Sequence, residues 1–144
     1  MRLYFDTSAV VPALIREHPQ HSAAFPALDR VRREVDEGVV SAHGLAELYG
    51  ALTRLPIVPR ITGAQAWELI ESNILRHFGI HGLTPRDYRE LLGTCSERGW
   101  VGAVIYDFLH IQTARKHGCD RLLTFNLKDF RLLAEDVEWI VTPS

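Results

Sequence analysis

Apolar residues in this chain fall into two alternating kinds of segment. Short runs rich in β-branched and aromatic residues are separated by longer stretches whose apolar positions recur at helical spacing. The runs at 2–5, 39–42, 80–83 and 121–124 predict four strands, and 137–141 a fifth. The stretches at 9–17, 23–37, 43–55, 63–78, 85–97 and 103–117 predict helices. Thr62 is a candidate cap for the fourth helix, and Thr84-Pro85 is a cap followed by proline at the first helical position. Gly38 and Gly79 are expected to stop the second and fourth helices, and a polar loop is expected after Thr124. Short strands alternating with helices of about ten residues or more predict an α/β fold with a mainly parallel central sheet of four to five strands. No repeat, low-complexity segment or linker interrupts the pattern, so residues 1–144 are expected to form a single domain.

The carboxylates do not follow this division into inside and outside. On a helical wheel of about 100° per residue, Ala103, Val104, Ile111 and Ala114 lie within about 60° of Asp107. An acid is thus centred on the stripe that should face the sheet. A buried carboxylate needs a cation, a set of donors or a proton. In an open parallel sheet, ligands bind beyond the carboxyl ends of the strands. Asp6 ends the first strand, Glu47 lies early in the helix after the second, and Asn126 and Asp129 follow the fourth. Four carboxylates, Asp6, Glu47, Asp107 and Asp129, are expected at that one edge with no obvious lysine partner. Oxygen donors in this number suit Mg²⁺ or Mn²⁺, and such an ion can activate water against a phosphodiester.

Composition narrows the choice of class. An apolar fraction of 47% and a charged fraction of 24% are ordinary for a globular protein. A net charge of −2 argues against a protein that lives by non-specific phosphate binding. No apolar run approaches the ~20 residues of a membrane span. The first residues enter a strand directly, and Cys95 and Cys119 match no metal spacing or disulfide framework, so a cytoplasmic location is expected. The seven histidines form no zinc signature.

Residues FDTSAVVPAL near the start, Glu47 within HGLAELYGAL, and VIYDFLHIQTARKHGCDRLLTFNLKDF closely resemble the PIN-domain family. Within it, they are most similar to the ribonuclease toxins of bacterial VapBC toxin–antitoxin modules. The resemblance covers essentially the whole chain. It implies a three-layer α/β/α fold and a Mg²⁺-dependent endoribonuclease acting on tRNA or rRNA. It also implies a homodimer and a cognate antitoxin protein as partners, with Asp6, Glu47, Asp107 and an acid of the final loop as catalytic metal ligands. Thr7 or Thr124 would steady the site. Many family members carry an aspartate where this chain has Asn126, and Asp129 is the candidate replacement.

Each residue also has a plainer reading. Asp6 could cap the following helix, Glu47 could be a solvated glutamate paired with an arginine, and Asp129 could serve a turn. His110 reads first as a packed histidine, and as a proton carrier or phosphate contact second. Trp67, Trp100 and Trp139 suit a core or dimer interface. Arg54, Arg86, Arg115, Lys116 and Lys128 suit an RNA path or plain surface charge. The rival function is a non-catalytic PIN-like module that binds RNA or protein. Phosphatases of the haloacid dehalogenase kind need a second acid two residues after the first, where this chain has Ser8.

Overall fold

A computed structural model describes residues 1–144. Five parallel strands form one sheet in the order β3-β2-β1-β4-β5. They are β1 (Arg2–Phe5), β2 (Glu37–Ser41), β3 (Phe78–His81), β4 (Arg121–Leu123) and β5 (Ile140–Val141). Helices α1 (Thr7–Leu14), α2 (His21–Arg32), α3 (Ala42–Arg54) and α4 (Gly63–Ile70) connect the first strands. Helices α5 (Pro85–Arg98), α6 (Val104–Lys116) and α7 (Leu127–Arg131) follow β3 and β4. The architecture is the expected three-layer α/β/α arrangement.

Alternation along β1 builds the two cores. Leu3 and Phe5 point into a cluster with Val10, Leu28, Leu48 and Ile74, under α1–α4. Tyr4 points the other way, into a cluster with Phe108, Ile111, Leu122 and Phe130. No helix is long and apolar enough to cross a membrane.

The capping signals are met. Thr62 and Thr84 each accept a hydrogen bond from a backbone N–H three residues on, and Gln65 and Asp87 return one to the cap. Several boundaries differ from expectation. The second helix ends at Arg32, and Gly38 lies inside β2 rather than at a helix end. A Cβ there would stand 2.5 Å from the Phe78 ring and 2.8 Å from Val31, so close packing explains this glycine. The fourth helix stops at Ile70 and continues as a wider π-helical turn, Glu71–Leu75, and Gly79 belongs to β3. The third strand therefore starts two residues early, because Phe78 is drawn into the core. The fifth is only two residues long. The polar segment after Thr124 is not a loop throughout, since Leu127–Arg131 forms α7, anchored by buried Phe130.

Candidate active site

Strand order reverses at β1, which pairs with β2 on one side and β4 on the other. The carboxyl ends of these three strands enclose the crevice where such sheets bind ligands. Asp6 follows β1 directly. Its backbone N–H donates to Leu123 O at 3.0 Å, continuing the ladder to β4.

Asp6 stands at the N-cap position of α1, but its side chain makes no capping bond. Both of its hydrogen bonds fall on Oδ2, from the Ser8 hydroxyl at 2.7 Å and the Thr124 hydroxyl at 2.9 Å. Those hydroxyls are themselves fixed. Ser8 Oγ accepts from Phe125 N–H and Thr124 Oγ1 from Asn126 N–H, each at 2.9 Å. The plain capping reading of Asp6 is thereby excluded at the level of its side chain, and Oδ1 carries no hydrogen bond. Of the two threonines expected to support the site, it is Thr124 that hydrogen-bonds Asp6, together with Ser8. Thr7 Oγ1 reaches only Glu47 Oε1, at 3.5 Å.

Glu47, in the second turn of α3, is not paired with an arginine. Its Oε1 accepts from His110 Nε2 at 2.5 Å, and His43 Nε2 lies 3.4 Å away. His110 is 1% exposed. Its Nδ1 shares a 2.6 Å hydrogen bond with the Tyr4 hydroxyl, and its Nε2 is also 3.5 Å from Asp6 Oδ1. A Cβ on Gly44 would stand 3.0 Å from Ser41 Oγ and 3.4 Å from His110 Cε1. Glycine there lets the start of α3 approach the imidazole closely.

The carboxylates do lack a lysine partner, and His110 stands in its place beside Glu47 and Asp6, a contact that its expected role as a packed histidine understated. It lies one turn from Asp107 on α6, and an i, i+3 acid–histidine pair was the available signal.

The charges respond to one another. Burial alone would lower the His110 pKa, yet the Glu47 hydrogen bond and the charges of Asp6, Glu47 and Asp107 raise it. Burial alone would raise Glu47, but the hydrogen bond and charge of His110, helped by His43 and Thr7, hold it below the ordinary value. Asp107 lacks such a donor. Burial first, then the charges of Asp6, Asp129 and Glu47, push it up to about 6 against the moderating pull of His110.

Asp129 sits in the first turn of α7, and Asn126 precedes that helix; both are exposed at the rim. The four acids share one edge, but no three of the His, Cys, Asp and Glu side chains close on a point as a ready-made metal cage. Glu47 is instead hydrogen-bonded to His110. Among the expected basic residues, Arg86, Arg115 and Lys116 are tied to Glu90, Asp136 and Asp87.

A parallel α/β/α domain with a histidine-braced acidic crevice at its switch point defines the class of protein. The chain belongs to the PIN-domain family, whose profile matches residues 3–136. It is 28% identical over 115 residues to ribonuclease VapC27 of Mycobacterium tuberculosis, covering 80% of this chain and 78% of that protein. Among solved structures it is similar to M. tuberculosis VapC20, a sarcin–ricin loop cleaving toxin, with a TM-score of 0.71 and 19% identity over 98% of this chain and 99% of that one. It also resembles Rickettsia felis VapBC2 bound to a DNA fragment from its promoter, with a TM-score of 0.68 and 17% identity over the full length of both chains.

Proposed function

We propose that the chain is a divalent-metal-dependent endoribonuclease, the toxin of a VapBC-type pair, which hydrolyses RNA phosphodiester bonds. The observation that carries this reading is the arrangement of Asp6, Glu47 and Asp107 around one crevice. One acid there is held by hydroxyls, one by an imidazole, and one has no donor of its own. The donor chemistry fits Mg²⁺ or Mn²⁺, since the acids offer carboxylate oxygens. Asp6, through Oδ1, and Asp107 would hold the ion, with Glu47 and Asp129 holding its water shell or a second ion. A bound ion of this kind supplies Lewis-acid stabilisation of the phosphate and lowers the pKa of a water.

The chain's own residues do the rest. Ser8 and Thr124 fix the Asp6 carboxylate in one orientation, so it needs no rearrangement to meet an ion. His110 fixes Glu47 through Oε1 and leaves Oε2 to accept a proton from an attacking water. The Asn126 amide and Asp129 extend the oxygen-lined rim toward solvent.

Structured RNA is the substrate class in this reading. The sarcin–ricin loop activity of VapC20 places rRNA beside tRNA as the first to try. The partners would be an antitoxin protein and a second copy of the chain, meeting across the helices that carry Glu47 and Trp67, in the cytoplasm.

The test is incubation of the purified protein with tRNA and rRNA fragments in Mg²⁺, Mn²⁺ or EDTA, beside Asp107→Asn. Discrete products that require metal and vanish in the variant support the nuclease. RNA binding without cleavage under any metal would instead favour a non-catalytic binding module.

A further inference from the structure

The crevice has an aromatic wall that the acids do not explain. Tyr106 lies in the first turn of α6, immediately before Asp107, and is 51% exposed. Its ring stacks on that of His43, in the first turn of α3, with centroids 5.2 Å apart and planes 9° from parallel. Tyr49, Trp67 and Tyr88 are similarly exposed, but none of them is stacked on another ring. Both members of the pair adjoin site acids, since His43 Nε2 lies 3.4 Å from Glu47 Oε1 and Tyr106 is one residue from Asp107.

His43 is held from below. Its ring centroid is 6.0 Å from that of His110, and its Nε2 is buried without a hydrogen-bond partner. An imidazole that leaves a buried nitrogen unpaired forgoes a hydrogen bond, and its ring contacts are those to Tyr106 and His110. One face of the Tyr106 ring lies on His43, and the residue is still half exposed beside Asp107. Both residues stand on helices, which hold such a surface more rigidly than loops do.

We propose that the Tyr106–His43 pair is a stacking platform for one unpaired base of the RNA substrate, next to the phosphate held at the acids. This rests on the nuclease reading above. Single-stranded RNA is recognised by splaying out its bases and stacking them on aromatic rings, and every base offers a π-face. The platform fits a chain of net charge −2. It gives an acidic crevice an attraction for RNA that does not depend on charge.

The experiment uses Asp107→Asn protein in Mg²⁺, so that binding is read without cleavage. Fluorescence anisotropy compares a short single-stranded oligoribonucleotide with the same chain carrying abasic positions. The comparison is repeated with Tyr106→Ala and Tyr106→Phe added, and thermal melting confirms that both fold. The expected result is about tenfold tighter binding of the intact oligonucleotide, within the range for base–aromatic stacking. Tyr106→Ala should abolish that preference and Tyr106→Phe should retain it. A preference that survives Tyr106→Ala, or that is lost equally in Tyr106→Phe, overturns the platform and leaves the nuclease reading intact. If neither oligonucleotide binds and the parent protein cleaves no RNA, the nuclease reading fails and the platform falls with it.

Discussion

Asp87 and Asp107 occupy equivalent places, each in the first turn of a helix, where the macrodipole favours a negative charge. Their titration nonetheless moves in opposite directions. Asp87 accepts from Lys116 and from the backbone and side chain of Thr84, and is lowered to about 2. Asp107 is half-buried among three other acids and is raised to about 6. Local helix geometry, common to both, therefore decides neither. The α5 start is satisfied within the chain. At α6, the first turn carries a charge that the folded chain balances only in part, as expected where a function rather than stability selects the residue.

Replacing Asp107 breaks the comparison most sharply. Asp107→Asn is expected to reduce metal-dependent RNA cleavage by ~10²-fold or more, the scale of losing several kcal/mol of charge stabilisation. The same variant should melt higher than the parent in metal-free buffer, since it removes an uncompensated charge. Cleavage assays and thermal scans on one preparation check both, and a variant that loses activity by melting lower would contradict the contrast.

Next in size is the brace between the acids. His110→Ala should destabilise the fold by roughly 2–4 kcal/mol in urea unfolding, because it strands the buried Tyr4 hydroxyl and leaves a cavity. Tyr4→Phe keeps the packing and should lose only about 1 kcal/mol. At the satisfied helix start, Thr84→Ala should cost about 1 kcal/mol of stability and leave cleavage unchanged.

The smallest effect is in pH. Asp107 is raised from an ordinary value of 3.8, so the metal-free protein should lose stability as pH rises between about 4 and 6. Asp107→Asn should flatten that interval. Asp87 is lowered from the same value, so its contribution is present above about pH 4 and lost as pH falls through about 2. Lys116→Ala should remove most of that acid-side loss. Urea titrations across both windows separate the two groups.

The α5 start was legible because its signals are local. Threonine, proline and an acid three residues after the cap are sufficient, and the observed capping box uses the same atoms. The order of strands and helices was legible for a similar reason, through the period of the apolar residues. Asp107 could be singled out because a wheel shows an acid on an apolar stripe. Most partners of Asp6 and Glu47 could not be found this way, since Thr124 and His110 act only once distant segments meet, whereas Ser8 is local. His110 is one of several consecutive buried residues on α6, Phe108 to Ile111. A helix buried on most sides has no polar face against which one histidine would stand out. Gly38 misled for a related reason. Glycine after a charged helix signals a stop, whereas here Phe78, forty residues later, requires its missing Cβ. Helix α7 was missed because five residues carry too little periodicity to register.

The bond from Thr124 to Asp6 joins residues 118 positions apart, which has a consequence during synthesis. At about 5–20 residues per second, roughly 6 to 24 s separate the appearance of these two residues at the ribosome. Through that interval β1 has no neighbour on its β4 side, and Asp6 has no Thr124 hydroxyl to fix it. A growing chain thus carries its acidic residues unassembled until nearly all of the described fold has been made. The crevice takes shape only when the domain as a whole does, so its acids come together only in a nearly finished chain.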